Sequence, residues 1–330
     1  MTRRGEFDLI ADLFVPLAEG NPGALGLLDD AALVEVPQGF EIVTTVDAMV
    51  EGVHFTGQEA ADLVGQKLLR VNLSDLAAMG ATPLCYLLTL VRPPEISESW
   101  LQRFVSGLAR DQHIYNIHLA GGDTVSTAGP LVLSLTAIGS VEKGKALKRD
   151  GAAVGDIVYV SGTIGDAALG LALVQDSEKF GFSGLERDQR NFLAARLQSP
   201  EPRLDLGRAL VDVASAAVDI SDGLVADLGH LAAASDVGVT LDLDALPVSA
   251  AAESIIADDE TAKLGLMTGG EDYELAFTVA PHRTGETNEL IKQAGLPLTA
   301  IGRIVAGNSV AVLGKSGEEL DVPAAGYTHF

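Results

Sequence analysis

The stretch Asn72-Leu73-Ser74-Asp75-Leu76-Ala77-Ala78-Met79 ends an apolar run that begins near Ala60. Its length and continuous hydrophobicity predict a buried helix over about 60–79. Asp75 lies within that helix, with Asn72 one turn earlier. An ionised carboxylate on a buried helix face is costly unless something neutralises it. Strand patterns surround the helix. Ala31–Val36 and Glu41–Val46 precede it, and Leu84–Val91 follows as a continuous apolar run of the kind buried in a sheet. Residues 6–18 form a helix with Phe7, Ile10, Leu13, Phe14 and Leu17 on one stripe. Further on come a helix over Trp100–Gln112 and strands over Ile117–Ala120 and Leu131–Ser140.

Lys143–Asp156 is rich in glycine and charge and marks a domain boundary. Beyond it, strands are expected at Ile157–Val160, Ala217–Ile220, Thr240–Leu243, Glu274–Val279, Leu298–Ile304 and Ser309–Leu313. Helices are expected at Asp166–Leu173, about 203–214 and about 223–234, and Gln175–Arg190 reads as an exposed, irregular excursion. Helices and strands mix in both halves, so the class is α/β or α+β.

The chain has 330 residues, 46 acidic against 22 basic, and a formal net charge of −24. Such a surface repels nucleic-acid phosphates and lacks the basic clusters of a peripheral membrane anchor. A hydrophobic fraction of 47% excludes a disordered chain, and the length suits about two domains. Cys85 is the sole cysteine, so neither an internal disulfide nor a thiolate zinc site is available. No run reaches the roughly 20 apolar residues of a membrane span, and the N-terminus lacks a signal-peptide core. The chain reads as soluble and cytoplasmic.

Familiar nucleotide fingerprints are missing. No Gly-x-Gly occurs. Gly139-Ser140-Val141-Glu142-Lys143-Gly144-Lys145-Ala146 approaches a P-loop, but Ala146 stands where a magnesium-binding hydroxyl belongs. Instead, carboxylates sit at element ends and inside apolar runs. Asp29-Asp30 interrupts an apolar context, Asp47 ends a strand, Asp123 follows Gly121-Gly122, and Asp219 and Asp222 flank a strand-to-helix turn. Asp222 also suits a helix N-cap and Asp123 a Gly-Gly turn. Few cations stand near in sequence: His54, Lys67, Arg70 and Arg149. Oxygen-only ligand sets favour Mg²⁺ or Ca²⁺, and Mg²⁺ usually completes its shell with phosphate oxygens. The pattern therefore points to a nucleotide substrate. Gly269-Gly270-Glu271-Asp272-Tyr273-Glu274-Leu275 repeats the Gly-Gly-acid theme, though an ordinary turn fits it too. His54, flanked by apolar residues, suits either a site or a hydrogen-bonded core position.

Six motifs together resemble the thiamine-monophosphate kinase family. They are Leu28-Asp29-Asp30-Ala31-Ala32, Asp47 to Phe55, Asn72 to Ala81, Gly121-Gly122-Asp123-Thr124, Asp219 to Leu224 and Gly269 to Leu275, in that family's order and spacing. The resemblance runs from about residue 5 to Gly326-Tyr327-Thr328-His329-Phe330. It implies the two-domain aminoimidazole ribonucleotide synthetase-like fold. An ATP- and magnesium-binding domain over 1–148 would dimerise through its sheet, and a C-terminal α/β domain would cover 149–330. It also implies transfer of phosphate from ATP to thiamine monophosphate with several Mg²⁺ ions, in a cytoplasmic homodimer. Positions matching the family's metal ligands are Asp30, Thr45, Asp47, Asp75, Asp123, Asp219 and Asp222. Those matching its ATP contacts are Tyr115, Gly122, Asp123, Arg149 and Ser221. Those matching its thiamine-phosphate contacts are His54, Glu271 and Tyr327. Arg149, Asp75 and Asp222 would carry catalysis.

The chain departs from the pattern twice, with Leu28 where the family usually has Gly and Val46 where it commonly has Thr. Selenophosphate synthetase would want an N-terminal reactive Cys and the hydrogenase-maturation relative a C-terminal one, and Cys85 is neither. A non-catalytic module that binds divalent cations is the alternative from another class.

Overall fold

The computed structural model describes residues 5–176, 181–256, 259–322 and 326. The chain divides into two compact units. One runs through Leu76 and resumes over Ala81–Gly144; the other takes Ala77–Gly80 and the chain from Lys145 onward.

The first unit opens with α1 (Glu6–Leu9), a π-helical turn over Ile10–Phe14, and α2 (Val15–Ala18). Its sheet has four strands: β1 (Phe40–Val50), β2 (Thr82–Arg92), β3 (His118–Ser126) and β4 (Val132–Glu142), in the order β1-β4-β2-β3. β4 pairs antiparallel with β1 and β2, while β3 lies parallel to β2 at the edge. Burial along β1 alternates residue by residue, as expected of a strand with one covered face. Glu41, Val43, Thr45, Asp47 and Met49 share the more covered side.

α3 (Ala61–Ala78) and α4 (Glu98–Tyr115) complete this unit. The two helices approach backbone to backbone at two glycines. A Cβ on Gly65 would sit 2.4 Å from the Phe104 carbonyl oxygen, and one on Gly107 would sit 2.0 Å from that of Asp62. Only glycine permits this approach. A buried polar cluster then joins them. Arg70 of α3 donates to both oxygens of the fully buried Asp111 on α4, at 2.6 and 2.9 Å, and Gln66 donates to it at 2.7 Å. This fork geometry satisfies the carboxylate inside the unit.

The second unit carries a seven-stranded sheet of β5 (Ile157–Ser161), β6 (Ala216–Asp219), β7 (Gly238–Asp242), β8 (Leu275–Val279), β9 (Leu298–Val305), β10 (Val310–Leu313) and β11 (Glu319–Leu320). The strand order is β11-β10-β7-β9-β5-β8-β6. Its helices are α5 (Asp166–Gln175), α6 (Arg187–Gln198), α7 (Leu204–Leu210), α8 (Leu224–Ser235), α9 (Ala250–Ile256), α10 (Glu260–Thr268) and α11 (Thr284–Ala294). A core including Val158, Phe182, Leu193, Val218, Leu228, Val239 and Ile301 fills the space between them. No helix among the described residues is long and apolar enough to cross a membrane.

Several expectations need correction. Residues 31–37 form no strand, because Ala31, Leu33 and Val34 lie in an exposed segment without a ladder partner in the sheet. Asp47 and Asp123 do not follow strands but lie inside β1 and β3, whose pairing extends past them. The excursion over 175–190 ends earlier than expected, since α6 begins at Arg187 behind a capping box formed by Glu186 and Gln189. The P-loop near-miss is strand β4 followed by a turn with no helix, so it offers no phosphate cradle.

Candidate active site

In the first unit, α3 is tied to β1 through polar side chains one helical turn apart. Asn72, fully buried, accepts the backbone N–H of Asp47 at 3.1 Å and donates its amide to the Leu68 carbonyl at 2.9 Å. Asp75 accepts the Thr45 hydroxyl at 2.5 Å. Residues i and i+3 share a helix face, and i and i+2 share a strand face. The two pairs therefore dock the helix and gather Thr45, Asp47 and Asp75 at one place. Val46, the departure from the family pattern, points the other way and is 60% exposed. The hydroxyl that meets Asp75 belongs to Thr45.

His54 sits in the turn after β1. Its Nδ1 accepts the Val50 N–H at 3.1 Å, so the ring carries its proton on Nε2 as a donor. Tyr115, the last residue of α4, has the Arg70 guanidinium 5.6 Å from its ring centroid, a cation–π distance. Gly122 pairs with Leu88, and a Cβ there would lie 2.0 Å from the Leu88 carbonyl oxygen. Asp123 follows beside Thr89, whose partner on β4 is Ser134. That register position falls on the sheet face opposite Asp47. Asp30 is exposed in the preceding loop, where its N–H donates to Asp29 at 3.0 Å. Leu28, the other departure, is 91% exposed.

The second unit assembles its own acidic group. Asp219 ends β6 and is buried, and Ser221-Asp222-Gly223 leads into α8. One oxygen of Asp227 accepts the N–H groups of Ser221, Asp222 and Gly223 at 3.0, 3.0 and 3.1 Å, wrapping the turn around a single carboxylate. Burial pushes Asp227 up to about 6, and the charge of Asp222 adds to this. Asp222, Asp227 and His230 bring their ligand atoms within 4.8 Å of one another. Asp227 and His230 were not among the sequence candidates, although their i, i+3 spacing on the helix behind Asp222 was the available signal. Arg149 is exposed, and its carbonyl accepts the Ser235 hydroxyl at 2.6 Å.

The Gly269–Leu275 motif runs beside this turn. Glu271 N–H donates to the Ser221 carbonyl at 2.7 Å, and Tyr273 N–H to that of Ile220 at 2.8 Å. Its acids have different tasks. Asp272 is fully buried and accepts the N–H groups of Gly165 and Ala167 at the start of α5, at 2.7 and 3.3 Å. Glu274, 1% exposed, accepts from Arg196 at 2.8 Å and from Arg203 at 2.7 and 2.5 Å. Glu271 is half-buried, with a left-handed φ of 75° that costs a non-glycine residue about 1 kcal/mol or more. Tyr327 lies outside the described residues.

Burial pushes Asp272 up to about 8, against the opposing pull of the α5 amides and Arg196. The native state therefore holds a proton that the unfolded chain releases near its ordinary value, and stability falls as pH rises through this window. Asp272→Asn cannot titrate. Its melting temperature relative to the parent should rise between about pH 5 and pH 8, which thermal melts at both ends will measure.

Comparison with known proteins fixes the family. Residues 28–141 match the AIR synthase related protein N-terminal domain model, and residues 153–315 match its C-terminal domain model. Thiamine-monophosphate kinase from Caulobacter vibrioides is 42% identical over 327 residues, 98% of this chain and 90% of that protein. The chain belongs to the thiamine-monophosphate kinase family. The crystal structure of the enzyme from Stenotrophomonas maltophilia superposes with a TM-score of 0.83 at 42% identity, covering 94% of this chain and 98% of that one. A solved complex of AaThiL with AMPPCP and TMP superposes at 0.77 with 33% identity, covering 100% and 99%. The two-domain AIR synthase-like architecture and membership of a kinase family are thus established for this chain.

Proposed function

We propose that the chain transfers the γ-phosphoryl group of ATP to the phosphate of thiamine monophosphate, giving ADP and thiamine diphosphate, the last step of thiamine diphosphate biosynthesis. The observation that carries this is family membership across almost the whole chain, with the motif residues Thr45, Asp47 and Asp75 gathered on one strand–helix junction. An oxygen of the acceptor phosphate attacks the γ-phosphorus while the bond to the β–γ bridging oxygen breaks. The acceptor is already ionised at neutral pH, so no protein nucleophile is required. Catalysis then rests on in-line positioning and charge neutralisation.

The donors fit Mg²⁺: the Thr45 hydroxyl meets the Asp75 carboxylate on the strand face that also carries Asp47, and in the second unit Asp222 and Asp227 bring carboxylate oxygens together with His230. We assign several Mg²⁺ ions, held by Asp30, Thr45, Asp47, Asp75 and Asp123 of the first unit and by Asp219 and Asp222 of the second. Bound there, Mg²⁺ supplies positive charge against the phosphates. Tyr115, Gly122, Asp123, Arg149 and Ser221 are assigned to ATP, with Arg149 stabilising the transferring group. His54, Glu271 and Tyr327 are assigned to thiamine monophosphate, His54 offering its Nε2–H to the acceptor. Protein incubated with ATP, Mg²⁺ and thiamine monophosphate should form thiamine diphosphate, while thiamine alone should not react. Absence of product with saturating substrates refutes the proposal.

We assign the enzyme to the cytoplasm as a homodimer, and the outer face of the first sheet supports the pairing. Ile42, Val46, Leu87 and Val125 lie on that face with 37–60% of their surface exposed. An apolar group of this kind on a sheet face marks an interaction surface. Val46→Glu should turn a dimer into a monomer in sedimentation analysis at the same concentration, and an unchanged mass would move the interface elsewhere.

A further inference from the structure

We infer that the buried ion cluster of Arg196, Glu274 and Arg203 is a positioning frame for Glu271, setting how that carboxylate meets the phosphate acceptor. The inference rests on the proposed role of Glu271 in binding thiamine monophosphate.

Over 271–274 burial alternates, with Asp272 and Glu274 buried and Glu271 and Tyr273 half-buried. The buried pair anchors the segment on two sides. Asp272 grips the first turn of α5 through Gly165 and Ala167, and its carbonyl accepts from Arg196 at 3.0 Å. Glu274 accepts from Arg196, Arg203 and the Ser161 hydroxyl, the last at 2.5 Å. Arg196 therefore bridges the main chain at 272 and the side chain at 274. The backbone takes a left-handed φ at Tyr273, 50°, between these anchors, and at Glu271, 75°, immediately before them.

Non-glycine residues hold such conformations only where the surroundings impose them. Here the Ser221 and Ile220 carbonyls hold the Glu271 and Tyr273 N–H groups, while Arg196, Asp272 and, through Glu274, Arg203 fix the chain beside them. Space also limits the alternatives. A Cβ on Gly270 would lie 2.5 Å from the Ser221 carbonyl oxygen, and one on Gly162 would lie 2.2 Å from the Glu274 carboxylate. At both glycines a side chain would run into the Ser221 turn or the Glu274 carboxylate.

Arg203 is the arm to remove, because Glu274 keeps Arg196 and Ser161 when it goes. Arg203→Gln should raise KM for thiamine monophosphate about tenfold, equivalent to about 1.4 kcal/mol, and leave KM for ATP within about twofold. Arg203→Lys should recover most of the loss, since one charged donor remains. Glu271→Ala, measured alongside, should raise the same KM at least as far. If Glu271→Ala leaves KM for thiamine monophosphate unchanged, the substrate role of Glu271 falls. If Glu271→Ala raises it while Arg203→Gln does not, or raises both KM values alike, the frame is refuted. Should Arg203→Gln fail to fold, Ser161→Ala gives the second reading of the same anchor. A selective rise in KM for thiamine monophosphate supports the frame, and its absence overturns it.

Discussion

Asp75→Asn is expected to lower kcat for thiamine diphosphate formation by about a thousandfold while leaving the thermal melt close to the parent's. The substitution keeps the size of the side chain and an oxygen that can accept the Thr45 hydroxyl. It therefore preserves the link between α3 and β1, along with the separate Asn72 bond to the Asp47 amide. What it removes is a negative charge at the place where Asp47 and Thr45 converge. If Asp75 helps to hold Mg²⁺ against the phosphates, that charge is the part that matters. Steady-state kinetics at saturating ATP, Mg²⁺ and thiamine monophosphate, paired with circular dichroism melts, will separate charge from structure. A fully active Asp75→Asn enzyme would remove Asp75 from the site.

Asp111→Ala is the substitution expected to damage stability most. Asp111 is fully buried and accepts from Arg70 twice and from Gln66 once. Truncating it leaves the Arg70 guanidinium inside the unit without that carboxylate, a loss of about 3–5 kcal/mol for a buried pair. For a chain of this size the melting temperature should drop by roughly 5 °C. Catalysis should suffer as well, because Arg70 stacks over Tyr115, the residue assigned to ATP. Asp111→Asn, which can still accept from Arg70, should lose less than half as much. A drop of only a degree or two in the alanine variant would mean that the helices are joined by packing alone.

Much of this was legible in the sequence, for identifiable reasons. The helix ending at Met79 announced itself by length and hydrophobicity, and Asp75 by being a charge in the wrong company. The structure resolves that conflict with a strand hydroxyl. Strands β2, β4, β5 and β8 were visible because strands buried in a sheet read as apolar runs. Ala31–Val36 misled because short apolar runs look alike whether or not a partner strand exists. Four helices, α6, α9, α10 and α11, went unread, all of them between 7 and 12 residues long.

At the site, the acids of Gly269–Leu275 could not be sorted from sequence. Asp272 and Glu274 are held by Gly165, Arg196 and Arg203, residues 71 to 107 positions away whose proximity only the fold creates. Asp227 was missed for a similar reason. Its use is to gather three main-chain amides, and no motif advertises that.

The glycine crossing of α3 and α4 limits how this unit can behave during turnover. Where two helices meet through main chain, no side chain can switch rotamer to let one slide over the other. Asp75 and Tyr115, one assigned to the metal and the other to the nucleotide, therefore ride on a single stiff lever. Substrate arrival cannot adjust the distance between them. The stretch over 28–39, which has no regular structure and carries Asp30, is not part of this crossing. Any side chain introduced at Gly65 or Gly107 would be felt at both ends of the lever at once.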